Sequence, residues 1–147
     1  MKKTIVILFV LSLFLFASAE NSYACSCVFS KEAVKKQVKN AFQGSTAIFE
    51  AEVLEVREST ENDFRLFVKV RISKSWKGEK TDEIIITTPS QGSLCGYDFA
   101  VGKSYLVYAN GTGDQLSVFL CSRTTDLLNN GDVKYLRKLK PKKIGKN

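Results

Sequence analysis

Phe64-Arg65-Leu66-Phe67-Val68-Lys69-Val70-Arg71-Ile72 sets Phe64, Leu66, Val68, Val70 and Ile72 against Arg65, Lys69 and Arg71 with a period of two. Side chains leave a strand on alternate faces, so this pattern predicts a half-buried β-strand. The same period runs upstream from Thr46 to Arg57, with Ala47, Phe49, Ala51 and Val53 on one face. Downstream, Lys77-Gly78-Glu79 makes a turn, and Glu83 to Thr88 (around Ile84, Ile85 and Ile86) reads as a short buried strand closed by Pro89. Ser90 to Asp98 reads as a loop holding Cys95. Tyr105 to Ala109 and Leu116 to Cys121 supply two more strands, joined across Asn110-Gly111-Thr112-Gly113-Asp114. Asn-Gly between apolar runs is a hairpin signal, because both central positions of the favoured turn need positive φ. Five short antiparallel strands predict a mostly β chain closed into a small OB-fold-like barrel, with an open sandwich as the alternative.

Helical spacing appears only at the flanks. Ala33, Val34, Gln37, Val38, Ala41 and Phe42 predict an amphipathic helix over 31–42, with Ser30 as N-cap, Glu32 near the positive end of the dipole and Gly44 as the stop. Val133, Leu136 and Leu139 predict a second helix over Asp132 to Leu139. Residues 25–125 therefore read as the barrel domain and 126–147 as a closing helix with a basic tail.

The compartment is read from the first residues. Lys2 and Lys3 precede an uncharged apolar stretch of 16 residues, Thr4 to Ala19, short of the roughly 20 that span a bilayer. Ser22-Tyr23-Ala24 then places small residues at −3 and −1 of a cut before Cys25, the pattern of a cleaved signal peptide over 1–24. A cut after Ala19 would instead leave Cys25 internal. The expectation is a secreted, monomeric protein of 123 residues, whose side-chain charge is +6 once Lys2, Lys3 and Glu20 are removed from the total of +7.

Lys134, Arg137, Lys138, Lys140, Lys142, Lys143 and Lys146 crowd the last fourteen residues, with no acid among them. Such a tail suits an anionic surface or a solvated terminus. Aromatics do not interleave with it, so nucleic acid is not an expected partner. Histidine is absent, which removes the commonest general base and metal ligand and argues against an enzyme. Asp98 and Asp114 are single loop acids, and Trp76, Tyr97, Tyr105 and Tyr108 read as core or turn aromatics. Asn110-Gly111-Thr112 fits the glycosylation pattern, but the hairpin accounts for it. Cys25-Ser26-Cys27 lacks the βαβ context of a thiol-exchange motif. Neither a cofactor nor a metal of its own is expected.

All four cysteines, Cys25, Cys27, Cys95 and Cys121, fall in the exported part, and an even count in a small secreted chain reads as two disulfides. Cys25–Cys27 is disfavoured, since an extended chain holds their Cα atoms roughly 6.5–7 Å apart, at the limit of bridge geometry. Either remaining pairing ties both residues to distant parts of the chain. The terminus is then rigid, with Cys25 as residue one. An α-amine of ordinary pKa, roughly 7.7–8, is appreciably neutral at physiological pH and forms a five-membered chelate with the carbonyl of its own residue. A stapled terminus without any binding role is the competing reading.

Cys25-Ser26-Cys27-Val28 at a mature terminus resembles the opening of the inhibitory, netrin-like domain of the tissue inhibitors of metalloproteinases. Ala47-Ile48-Phe49-Glu50-Ala51 resembles that family's first strand. Ile72-Ser73-Lys74-Ser75-Trp76-Lys77-Gly78 is similar to its strand ending in an aromatic-Lys-Gly turn. Thr88-Pro89 with Ser93-Leu94-Cys95-Gly96-Tyr97 is similar to its second contact loop, and Leu116 to Ser122 to its strand ending in Cys-Ser. The resemblance implies an OB-like barrel bridged Cys25–Cys95 and Cys27–Cys121. It implies a partner, a zinc metalloprotease, whose catalytic zinc is chelated by the amine and carbonyl of Cys25. Ser26 would enter the specificity pocket, and Cys27, Val28, Ser93, Leu94 and Cys95 would complete a contact ridge.

The chain departs from that family in having no third bridge in this domain and in carrying Phe29-Ser30-Lys31-Glu32 where the family is Pro-rich. No counterpart of the family's second cysteine-rich domain lies within these residues. The rival expectation is a non-inhibitory extracellular binding module, held to an anionic surface by the tail or by a lipid on Cys25. Asn21 and Ser22 are atypical residues for a lipid-attachment signal.

Overall fold

A computed structural model describes residues 25–28, 30–60, 64–78, 81–90, 95–112, 115–129 and 131–139. The expected signal segment 1–24 and the tail 140–147 lie outside the described residues. The elements run α1 (Val34–Gly44), β1 (Ala47–Glu58), β2 (Arg65–Lys77), β3 (Glu83–Pro89), β4 (Ser104–Thr112), β5 (Gln115–Ser117), β6 (Thr125–Asp126), a 3-10 turn (Leu127–Asn129) and α2 (Val133–Leu136). The chain is mostly β, a closed five-stranded barrel with two short helices.

The barrel follows the order β1-β2-β3-β5-β4, and β4 pairs back onto β1 from Ala47↔Ala109 to Glu52↔Ser104. Neighbours are antiparallel except β3 and β5, which run parallel through Ile86↔Leu116 and Thr87↔Ser117. The expectation of an all-antiparallel barrel is corrected by strand parity. With β2 and β4 opposed to β1, both β3 and β5 run with β1, and the circuit makes them neighbours. Register shifts in the β1–β2 ladder, between Ile48/Phe49, Glu50/Ala51 and Val53/Glu55, supply the extra twist that long strands need to curl into a small barrel.

Alternation fills the interior. Ala47, Phe49, Ala51 and Val53 of β1 meet Val68 and Val70 of β2, Ile86 of β3, and Tyr105, Val107 and Ala109 of β4. The run Tyr105 to Ala109 is apolar throughout because both faces are covered. Leu106 and Tyr108 point outward with Ile48 and lie beneath Val38 of α1 and Leu136 of α2. A second core therefore joins the helices to the outside of the barrel.

Several local expectations change. Helix α1 starts three residues later than the capping pattern implied. Ser30 Oγ accepts the Glu32 N–H (3.2 Å), a turn two residues long, and Ala33 occupies the N-cap position with no side-chain cap. Ser carries out this local turn as readily as a helix cap. Phe64 is not an inward strand residue. It precedes β2 with φ of 51°, stands 69% exposed, and accepts the Ser90 N–H on its carbonyl (2.6 Å).

The Asn110-Gly111 pair is not the turn itself. It lies in the ladder (Asn110↔Ser117, Gly111↔Leu116), Thr112 pairs with Gln115, and residues 113–114 between them lie outside the described set. The last barrel strand ends at Ser117 rather than Cys121, because Phe119 to Ser122 closes a turn (Ser122 N–H to Phe119 carbonyl, 2.9 Å) that brings Cys121 back to Cys27. The closing helix is shorter than expected, Val133–Leu136, continued to Leu139 only by turn-type bonds.

Candidate functional site

Two bridges gather the candidate residues at one end of the barrel. Cys25 joins Cys95 with Cα atoms 5.5 Å apart, and Cys27 joins Cys121 at 5.3 Å, both within ordinary bridge geometry. This is the pairing implied by the resemblance. Cys25 and Cys27 are half-buried, whereas Ser26 is exposed and Val28 is 98% exposed. The segment thus follows a strand-like alternation, with sulfurs inward and Ser26 and Val28 outward. Ser93 and Leu94 lie outside the described residues, so of the loop's half of the ridge only Cys95 is placed.

The platform under Cys95 is tightly determined. Cys95 has φ of 59°, a left-handed conformation uncommon outside glycine, and its carbonyl accepts the Leu120 N–H (2.8 Å). Gly96 bridges Phe119 and lies so close to the end of β3 that a Cβ there would fall 1.8 Å from the Pro89 carbonyl oxygen. The Tyr97 N–H donates to Thr88 Oγ1 (2.8 Å), and Thr88 is only 1% exposed. Beneath them Tyr97, Phe99 and Tyr105 pack as a triad, with Phe99 and Tyr105 edge-to-face at 5.1 Å. Burial pushes the Tyr97 phenol up from its ordinary 10.0 to about 12. The backbone from Cys95 to Tyr97 is therefore fixed by hydrogen bonds and close packing, as well as by the bridge.

A second set of contacts holds the segment between Cys27 and α1. Arg123, two residues after Cys121, grips Asp132 with two parallel bonds, Nε to Oδ2 at 2.8 Å and Nη2 to Oδ1 at 2.7 Å. Its remaining nitrogen Nη1 donates to Gln37 Oε1 (2.7 Å). Gln37 in turn donates Nε2 to the carbonyls of Ser30 (2.9 Å) and Glu32 (2.6 Å). The buried Tyr108 hydroxyl adds a bond to Asp132 Oδ2 (3.1 Å). This chain links the N-terminal segment to α1, the barrel wall and α2. It also forms one side of a cleft of about 600 Å³ that opens beside Val28.

The guanidinium satisfies a carboxylate and an amide at fixed angles, which a lysine ammonium does not reproduce. The sequence reading missed Arg123, Gln37 and Asp132. The one signal available was the placement of Arg123 two residues beyond a cysteine.

The aromatic-Lys-Gly stretch has a structural explanation. Trp76 packs in the helix-covered core, and Lys77 Nζ donates to the carbonyls of Phe42 (2.9 Å) and Ser45 (2.5 Å), where the last turn of α1 leaves acceptors unpaired. Gly78, with φ of 84°, lies where a Cβ would come within 2.9 Å of the Ala47 Cβ. Among the described residues no three His, Cys, Asp or Glu side chains converge as a metal-binding group.

The chain matches no protein-family model and no curated protein sequence. The functional reading therefore stands on this geometry and on the sequence resemblance.

Proposed function

We propose that the chain is a secreted inhibitor of zinc metalloendopeptidases, a single-domain relative of the inhibitory domain of the tissue inhibitors of metalloproteinases. The observation that carries this reading is the double bridge at Cys25 and Cys27. It fixes Cys25-Ser26-Cys27 to the barrel and leaves Ser26 and Val28 facing outward. The circuit β1-β2-β3-β5-β4 closed onto β1 supports an OB-like identity for the barrel, and the two disulfides are compatible with an extracellular protein.

Cleavage after Ala24 gives Cys25 an α-amine beside its own carbonyl. A catalytic zinc ion keeps one position open to water, and the amine–carbonyl pair displaces that water as a five-membered chelate. Ser26 then points into the primary specificity pocket. Cys27 and Val28 continue along the cleft on one side of the zinc, and Ser93 and Leu94 line the other, joined through Cys25–Cys95. The rigidity of the ridge lowers the ordering cost of association.

The test compares the authentic mature protein with a form carrying one extra alanine before Cys25, both with two disulfides verified by mass. Inhibition of a zinc endopeptidase is expected for the authentic form and lost in the extended one, because acylation removes the lone pair of the amine. Equal inhibition by both forms would falsify chelation. The mass of the exported protein also reports whether Cys25 is the first residue and whether it carries lipid.

A further inference from the structure

Away from the ridge, α1 and α2 lie side by side over the second core, and between them runs a trough of about 440 Å³. Ala33, Tyr135 and Leu139 form its apolar floor. Lys35, Lys36, Lys39 and Lys138 stand around it, all exposed to solvent. Residues 33–44 and 133–139 together hold six lysines and arginines and no acid. The nearest carboxylates are already engaged. Glu32 pairs with Lys36 (2.5 Å) and accepts from Asn40, and Asp132 is held by Arg123 and Tyr108. Lys134 Nζ sits 4.9 Å from the centre of the Tyr135 ring, adding a cation over the aromatic floor.

An apolar floor rimmed by Lys35, Lys39 and Lys138, with Lys36 paired to Glu32, fits a ligand that is anionic at its head and apolar behind it. The adjoining residues 140–147 do not supply one. Lys140, Lys142, Lys143 and Lys146 follow Leu139 with no acid among them, so residues 140–147 carry the same sign as the rim. A soluble polyanion satisfies the lysines but leaves the floor uncovered. We infer that the α1–α2 face docks on the surface of an anionic phospholipid bilayer, lysines at the phosphates and the Ala33–Tyr135–Leu139 floor against the glycerol and acyl boundary. This inference is independent of protease inhibition.

The experiment is vesicle co-sedimentation of the oxidised chain 25–147, which contains every described residue and both bridges. Phosphatidylglycerol vesicles are expected to retain it and phosphatidylcholine vesicles to leave it in solution, with retention lost at about 1 M salt, where the screening length falls to roughly 3 Å. Lys35→Gln/Lys39→Gln/Lys138→Gln should weaken retention about a hundredfold, at about fivefold per lysine near an anionic surface. Ala33→Asp is the second variant. Aspartate is favoured at the N-cap position that Ala33 occupies, so the helix is kept while the floor acquires a charge, and retention should fall at least as far as for one lost lysine. Two outcomes overturn the proposal. One is that both variants bind like the unsubstituted chain while removal of 140–147 abolishes binding. The other is that polyphosphate free of lipid binds as tightly as the vesicles and is indifferent to Ala33→Asp.

Discussion

Glycine 96 shows how much one missing methyl decides. With a Cβ projected 1.8 Å from the Pro89 carbonyl oxygen, Gly96→Ala forces β3 and the Cys95 segment apart. The expected loss is about 3 kcal/mol of unfolding free energy. Gly44→Ala, at the open end of α1 with nothing within 4 Å, should instead gain roughly 0.5–1 kcal/mol. Denaturant titration of the two variants checks both signs. Arg123 is the second decisive residue. Arg123→Met takes the guanidinium from the Asp132 carboxylate, whose side chain is 7% exposed, leaving it the Tyr108 hydroxyl, and releases Gln37. A loss of about 3 kcal/mol is expected, with part of it recovered in Arg123→Met/Asp132→Asn by a double-mutant cycle. Little of this was legible beforehand. Periodicity reports which faces are apolar, and it found Ala47, Phe49, Ala51 and Val53 because each lies on an inward face. Arg123 pairs with residues 9 and 86 positions away, and no local pattern encodes such partners.

At the scale of elements, the strands were readable where only one face is buried, as in β2. The reading failed at element ends, where local hydrogen bonds compete. Ser30 caps a short turn instead of α1, and Asn110-Gly111 extends a ladder instead of turning it. The C-terminal end of α1 illustrates a cap delivered from far away in sequence. Lys77→Met removes the cation from the negative end of the helix and leaves the Phe42 and Ser45 carbonyls without that donor. A cost of about 1 kcal/mol is expected. Circular dichroism should show fraying of α1 while the strand signal persists. The extra strand β6 is only two residues long, too short for any alternation to reveal.

For the whole molecule, the response to alkali follows from the two cores. Burial raises the Tyr97 pKa to about 12, and burial with the Asp132 carboxylate raises that of Tyr108 further. A phenol whose folded pKa lies above its unfolded value contributes stability that is complete below pH 10, the ordinary value, and is lost as pH rises through about 12. Phenolate absorbance at these two residues should therefore appear together with unfolding, at higher pH than the ordinary phenol value of 10.0. Tyr97→Phe should move the alkaline midpoint upward, measured by absorbance and circular dichroism in parallel.

The bridges that hold the ridge also dictate how the chain must mature. Cys25–Cys95 and Cys27–Cys121 interleave along the sequence, enclosing separations of 70 and 94 residues. Oxidation in order of synthesis would join Cys25 to Cys27, the neighbours that appear first and whose bond is geometrically poor. Native pairing waits for Cys121, close to the end of the described chain. Cys25 must remain reduced until Cys95 is made and Cys27 until Cys121 is made, or the pair must be reshuffled afterwards by thiolate exchange. The Cys25-Ser26-Cys27 segment is thus among the last parts of the molecule to be fixed in place, although it is made before every strand of the barrel.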